Sequence, residues 1–149
     1  MNLEDLALHD NEKTMNKEDI EIFEKLHSQL LGTYEEISLL SKKNPNDAIN
    51  KFKLKFINQL LVLSNGFLKD KYKPFDDFDT FNEDEIPQNG DVVFIISQYL
   101  KCLESYKLDH VTQKRGGPSW FWKILGEEND NVDEKGFIYI RTSKPQIYG

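Results

Sequence analysis

Residues 16–67 have the sequence NKEDIEIFEKLHSQLLGTYEEISLLSKKNPNDAINKFKLKFINQLLVLSNGF, and this stretch decides the fold. Apolar residues recur at spacings of three and four on both sides of Pro45, which is the period of an amphipathic helix. The residue before a proline avoids helical geometry, so a first helix must end near Asn44. Two helices joined by a short Asn-Pro-Asn turn predict an antiparallel helical hairpin.

The first helix of the hairpin is predicted over residues 17–43. Asn16 is a suitable N-cap, and Glu18 and Asp19 favour the positive end of a helix dipole. Gly32 costs about 1 kcal/mol relative to alanine inside a helix, which indicates a kink or a close helix crossing. The core-facing stripe is predicted to contain Ile20, Phe23, Leu26, Leu30, Tyr34, Ile37 and Leu40.

The second helix is predicted over residues 46–70, with Asn44 or Asn46 as its cap. Asn65-Gly66 either ends this helix or lies within its last turn. Its main core stripe is predicted to contain Ile49, Phe52, Phe56, Leu60, Leu63 and Phe67. Leu54, Ile57 and Leu61 widen this stripe, so we expect a broad apolar face.

An acidic loop follows at residues 72–90, with two prolines and six carboxylates. Phe75, Phe78 and Phe81 interrupt the acidic residues at a spacing of three. Either these rings hold a solvated segment against the helices, or Phe78 and Asp79 belong to a contact surface for a basic partner. A third helix is predicted over residues 91–108, although its β-branched start, residues 92–96, is also compatible with a buried strand.

The C-terminal region alternates in the way that strands do. Strands are predicted over residues 119–126 and 136–142, after a Gly-Gly-Pro turn, and they form an antiparallel β-hairpin packed against the helices. The predicted fold class is therefore α+β. Residues 16–149 are expected to form a single domain, preceded by a mobile tail of residues 1–15.

A binding site is predicted around the turn before this hairpin. Glycines let backbone amides approach an anion, and adjacent cations can hold a phosphate or a carboxylate. Both arginines of the chain fall in this region, and arginine makes bidentate contacts that lysine cannot. The predicted ligand-binding or partner-binding residues are Lys114, Arg115, Gly116, Gly117, Trp120, Trp122, Tyr139 and Arg141. A solvent-facing turn without a ligand is the alternative interpretation.

The sequence contains no pattern that predicts catalysis, a metal or a cofactor. Asp77 and Asp79 have the spacing that begins a calcium loop, but Asn82 stands where glycine is needed and Gln88 where glutamate should close the shell. One cysteine, Cys102, and three scattered histidines do not provide the short spacings of a zinc site. Neither a phosphate-binding loop nor a nucleophile elbow is present.

Net charge favours a basic partner over nucleic acid. The formal charge is −7; residues 1–108 contain 20 acidic and 13 basic residues, whereas residues 109–149 contain six of each. Such a field repels a phosphate backbone except locally at the C-terminal hairpin. The first 13 residues lack the basic and apolar regions of a signal peptide, and no run of 18 apolar residues occurs, so we expect a cytoplasmic protein without a membrane contact.

These features favour a binding protein over an enzyme. We expect a small acidic protein-interaction module, such as an accessory subunit or an immunity or antitoxin-like protein. A bias of 17 lysines against two arginines, with 12 asparagines, is typical of an AT-rich genome and indicates a bacterium or phage. The alternative is an anion-binding or nucleotide-binding sensor or enzyme that uses Arg115, Arg141 and the tryptophans. The oligomeric state is left open.

Overall fold

The computed structural model of the chain describes residues 14–114 and 117–146 and confirms the α+β fold class. Within these ranges three helices precede a small sheet, as the sequence predicts. The elements in chain order are α1 (Lys17–Lys43), α2 (Lys51–Tyr72), α3 (Asn89–His110), β1 (Val111–Gln113), β2 (Trp120–Leu125) and β3 (Phe137–Thr142). None of the helices in the described ranges is both long enough and apolar enough to cross a membrane.

The described residues divide into two compact units. A helical unit contains residues 22–106, and a sheet unit contains residues 14–21 together with residues 107–146. The prediction of a mobile tail falls mainly on residues 1–13, which lie outside the described residues.

Within the helical unit, α1 and α2 form the predicted antiparallel hairpin. Lys53 of α2 donates a 2.7 Å hydrogen bond to Glu36, and the ring of Phe67 lies 6.1 Å from that of Phe23, so the two helices run in opposite directions. The ring of Tyr106 on α3 stacks near both phenylalanines. These rings close one end of an aliphatic core.

Residues 92–96 are helical, which decides between the two alternatives for this stretch. Val92 and Ile96 are fully buried, and Tyr99 and Leu103 continue the same buried side of α3. Spacings of four, three and four place these side chains on one face of a helix. The β-branched start of α3 therefore serves core packing and not strand pairing.

The second helix begins later than predicted, because its N-cap is Asn50. Neither of the predicted caps, Asn44 and Asn46, has this role. The side-chain oxygen of Asn50 accepts hydrogen bonds from the backbone N–H groups of Phe52 and Lys53. Two otherwise unpaired donors of the first turn are thereby satisfied. The helix continues through Asn65-Gly66, and Lys69, with a φ of 57°, interrupts its last turns.

The prediction of the main core stripe of α2 was wrong at Phe52, Phe56 and Leu63, which are exposed by 70%, 49% and 57%, respectively. The buried side of α2 consists of Leu54, Ile57 and Leu61, which were predicted only to widen the stripe, together with Ser64 and Leu68. Both sides of this helix are apolar, so periodicity alone could not identify the side that packs in the core.

The sheet unit contains three antiparallel strands in the order β1-β2-β3, one more than predicted. Trp122 and Ile124 of β2 are buried on one face, together with Met15. The backbone N–H of Leu125 donates to the carbonyl oxygen of Met15 at 2.8 Å. The ammonium group of Lys107 lies 5.4 Å from the centre of the Trp122 ring. This face thus packs against the helix-terminal residues that belong to the same unit.

Candidate binding surfaces

The sheet has a second face, opposite the buried tryptophan, which we call the open face. Residues directly opposite each other on antiparallel strands point to the same side of the sheet. The open face therefore contains three cross-strand pairs: Phe121 with Arg141, Lys123 with Tyr139, and Leu125 with Phe137. Two of these three pairs combine an aromatic ring with a cationic side chain.

Lysines already contact the rings of the open face. The Nζ atom of Lys114 lies 4.2 Å from the centre of the Tyr139 ring, and that of Lys123 lies 4.6 Å from the centre of the Phe137 ring. Such cation–π contacts orient the ammonium groups while leaving them charged. Arg141 is exposed beside Phe121 and is the cation of this face best placed to meet an anion.

Asp133 holds Tyr139 in place at the edge of the open face. Its carboxylate accepts a 2.8 Å hydrogen bond from the Tyr139 hydroxyl and 2.9 Å bonds from the backbone N–H groups of Phe137 and Lys135. The backbone bond from Phe137, followed by the Tyr139 bond, lowers the pKa of Asp133. The same hydrogen bond from its hydroxyl to the carboxylate raises the pKa of Tyr139.

The residues of the predicted hairpin site do not all meet. Lys114, Tyr139 and Arg141 belong to the open face or contact it, whereas Trp120 and Trp122 point to the opposite face. Trp122 is only 1% exposed and serves the core.

The turn itself is described only in part. Arg115 and Gly116 lie outside the described residues. The Gly117 N–H donates to the carbonyl oxygen of Lys114 at 3.0 Å, so this donor is already used within the turn.

Four residues of the open face were absent from the predicted site: Phe121, Lys123, Leu125 and Phe137. The strand alternation already separates Phe121 and Lys123 from the tryptophans of β2. The missing information was the register between β2 and β3, which assigns these residues to the same face as Tyr139 and Arg141. A strand register shifted by one residue would have placed Tyr139 and Arg141 on the same face as the tryptophans.

A second surface is formed by the acidic loop, which two asparagines of α2 hold in place. Asn58 accepts a hydrogen bond from the Phe81 N–H and donates one to the Phe81 carbonyl oxygen. Asn65 donates to the carbonyl oxygen of Asp79 and accepts a 2.6 Å bond from the Tyr99 hydroxyl. Asn65 therefore acts as a loop anchor within α2 and does not terminate the helix.

The three phenylalanines of the loop contact one another edge to face. The Phe75 and Phe78 ring centres are 5.9 Å apart, and those of Phe78 and Phe81 are 5.2 Å apart. Asp79 projects outward from this row with its side chain 76% exposed, 4.0 Å from the ammonium group of Lys73. Phe78 and Asp79, both predicted site residues, thus lie on a well-packed loop.

At its C-terminal end the loop borders a shallow cleft of about 620 Å³, which we call the acidic cleft. Phe94 projects from α3 at this cleft and is 56% exposed. Glu85 and Asp91 are its carboxylates. The lining residues are Phe81, Glu85, Ile86, Pro87, Gln88, Asp91, Phe94 and Ile95. Within residues 14–114 and 117–146, no cation forms a salt bridge with a carboxylate of residues 83–91.

Two groups with potential reactivity are placed in packed surroundings. His27 Nε2 lies 3.0 Å from a carboxylate oxygen of Glu104, which is 6% exposed, and the His27 ring stacks on Phe23. Neither residue lines the acidic cleft. Burial raises the pKa of the Cys102 thiol, which disfavours the nucleophilic thiolate. The described part of the chain contains no cluster of three or more His, Cys, Asp or Glu residues suited to a metal ion.

Comparison of the chain with protein-family models, with curated proteins and with solved structures finds no match. The function is therefore inferred from the surfaces described above.

Proposed function

We propose that the chain is a small protein-interaction module that binds a basic protein partner at the acidic cleft. An accessory subunit or an immunity or antitoxin-like protein of a bacterium or phage has this kind of activity. The observation that supports the proposal most directly is Phe94, a large apolar side chain exposed beside carboxylates that have no salt-bridge partner among the described residues.

The chemistry of the cleft suits such a partner. An exposed aromatic ring flanked by apolar side chains supplies contact area, and aromatic residues are enriched among the residues that dominate binding energy. Carboxylates at the rim attract a basic surface and increase the association rate more than the affinity. The network around Asn58 and Asn65 fixes the loop before binding, so less conformational entropy is lost on association.

The proposal is tested by photo-crosslinking in the cells from which the protein comes. A photoreactive phenylalanine analogue at position 94 should capture a single partner with a net positive charge, whereas the same analogue at Leu39, an exposed residue of α1, should not. With that partner purified, Phe94→Gln should weaken binding about tenfold or more.

The charge contribution needs its own variant. Glu85→Lys, combined with Glu83→Lys at an exposed acidic residue of the same loop, should slow association and reduce its dependence on salt, because long-range attraction between charges is screened by ions. Capture of an acidic partner, or unchanged affinity in Phe94→Gln, would reject the acidic cleft as the binding surface.

A second candidate function, binding of an anion or nucleotide, is favoured by the open face. Arg141, Lys114 and Lys123 offer positive charge beside aromatic rings that could stack on a base. A ligand that binds only the folded state raises its melting temperature. In a thermal-shift screen with nucleotides and phosphorylated metabolites, any stabilisation through this face should be lost in Arg141→Ala and kept in Lys144→Ala. A screen without stabilisation would reject this candidate.

A further inference from the structure

The outward side of α2 carries an unusually apolar surface for an exposed helix. Phe52, Phe56, Val62 and Leu63, which we call the outer stripe, are all exposed by about half or more. Phe52, Phe56 and Leu63 are separated by four and seven residues, so they lie on one side of the helix. The Phe52 and Phe56 rings contact each other edge to face with centres 4.9 Å apart.

The charge around the outer stripe is opposite to that of the whole chain. The helix contains five lysines and a single acidic residue, Asp70, whereas the chain has a net charge of −7. Lys51 and Lys55 are exposed and lie one helical turn apart. They are on the same edge of the outer stripe as Val62. Lys53 is already bonded to Glu36, which leaves Lys51 and Lys55 as the lysines available beside the aromatic pair.

We propose that the outer stripe is a second docking surface and that its occupant is an amphipathic helix of a partner protein, with acidic residues along one edge of its apolar face. Helix-on-helix packing fits the stripe because Phe52 to Leu63 spans about three turns and presents a ridge of side chains at helical spacing. Carboxylates on the partner would meet Lys51 and Lys55 while its leucines or aromatic residues cover the ring pair.

Two other occupants fit the charges less well. A second copy of the chain would place one lysine-rich α2 against another, and like charges at an interface are unfavourable. An anionic membrane would attract Lys51 and Lys55 but would repel the acidic residues that give the chain its net charge. An acidic helix meets only the stripe and avoids this repulsion.

The experiment measures binding of two designed peptides to the full chain by fluorescence anisotropy. Both peptides have leucines at positions i, i+4, i+7 and i+11; one has glutamates beside them and the other has lysines at the same positions. In the Phe94→Gln chain, in which the acidic cleft is impaired, the acidic peptide should bind about tenfold or more tightly than the basic one. Equal binding of the two peptides to this variant, or binding of neither, would overturn the proposal.

Variants then locate the site. Phe52→Gln with Phe56→Gln should weaken binding of the acidic peptide about tenfold or more, whereas Leu39→Gln, at an exposed apolar residue of α1, should leave it unchanged. Lys51→Glu with Lys55→Glu should reverse the preference towards the basic peptide. Because these residues are exposed, we expect unchanged circular dichroism spectra, which separates loss of binding from loss of folding.

The competing occupants give different results. Concentration-dependent dimerisation that is lost in the Phe52→Gln, Phe56→Gln variant would assign the outer stripe to a second copy and overturn the proposal. Binding to vesicles of phosphatidylserine and phosphatidylcholine that is lost in the same variant would assign it to a membrane, with the same consequence. Binding at the acidic cleft should be unaffected by this variant, so the two proposals fail separately.

Discussion

The helix α2 and the β-sheet each have a buried face and an exposed face, but their exposed faces differ in chemistry. On α2 the exposed face is apolar, with Phe52 and Leu63 opposite the buried Leu61. On the sheet the exposed face combines rings with cations, and the large apolar residues Trp122 and Ile124 are on the other side. The sheet therefore has the distribution expected when one face is buried and the other is solvated. The helix α2 does not, because its exposed face is apolar as well.

The difference shows where additional binding is to be expected. A helix that is apolar on both sides normally lies inside a protein, with a neighbour on each side. The outer stripe has no such neighbour among the described residues, and an exposed apolar patch of this kind is typical of an interaction surface. The open face needs no partner to be stable in water, because lysines already lie over its rings.

The largest expected effect concerns the buried face of the sheet. Replacing Trp122 by alanine should destabilise the protein by about 3–5 kcal/mol, because a large side chain is removed from a packed core. Phe121→Ala, one residue away on the open face, should cost less than half as much. Urea unfolding followed by circular dichroism measures both. Equal losses would mean that the two faces of the sheet are buried to a similar extent.

The next effect compares the two sides of α2 directly. Leu61→Ala should lower the free energy of unfolding by about 2–5 kcal/mol, since it leaves a cavity. Leu63→Ala should change it by only about 0.5 kcal/mol, because leucine and alanine have similar helix propensities and the side chain is exposed. A loss in Leu63→Ala as large as that in Leu61→Ala would show that the outer stripe is covered in the isolated protein.

These contrasts also show how far the sequence could predict the structure. The bounds of α1 and the turn at Pro45 were predictable, because helix caps and proline act locally. The core side of α2 was not, since Phe52 and Leu61 are equally apolar and only the positions of other helices distinguish them. Likewise, the sequence analysis grouped Tyr139 with Trp122 in one predicted site, but the strand register puts them on opposite faces.

The acidic loop illustrates a different limit. Its three phenylalanines were visible as a pattern, whereas its anchors, Asn58 and Asn65, were not. An asparagine within a helix has no periodic signal that reveals a distant hydrogen-bond partner. The acidic cleft was missed for a similar reason, because Phe94 lies beyond the loop in sequence and meets it only in the folded helical unit.

A smaller effect is expected at the turn that joins the two main strands. A Cβ atom on Gly126 would overlap the Cγ1 atom of Val132 and lie 3.2 Å from the Cγ2 atom of Ile138. Gly126→Ala should therefore destabilise the sheet unit by about 1–3 kcal/mol through overpacking. Adding Val132→Ala should restore most of the loss, as a double-mutant cycle would measure. If the double-mutant cycle shows no coupling between positions 126 and 132, the predicted overlap with Val132 does not occur.

The smallest effect is a change in pH dependence at the edge of the open face. A carboxyl group whose pKa is lowered by folding stabilises the protein above its unfolded pKa and loses this contribution as the pH falls through its folded pKa. The hydrogen bonds from Phe137 and Tyr139 lower the pKa of Asp133 in this way. The difference in unfolding free energy between the wild type and Asp133→Asn should thus have its full value at neutral pH and decrease below about pH 4.

Tyr139 gives an independent measure of the same contact. Since the Asp133 carboxylate raises the pKa of Tyr139, Asp133→Asn should lower that pKa towards its ordinary value, as an NMR titration of the ring carbons would show. Lys135→Ala, which keeps the carboxylate, is the matched control and should leave the Tyr139 titration almost unchanged. If Tyr139 titrates identically in Asp133→Asn and the wild type, the hydrogen bond does not form in solution and Asp133 does not fix the ring on the open face.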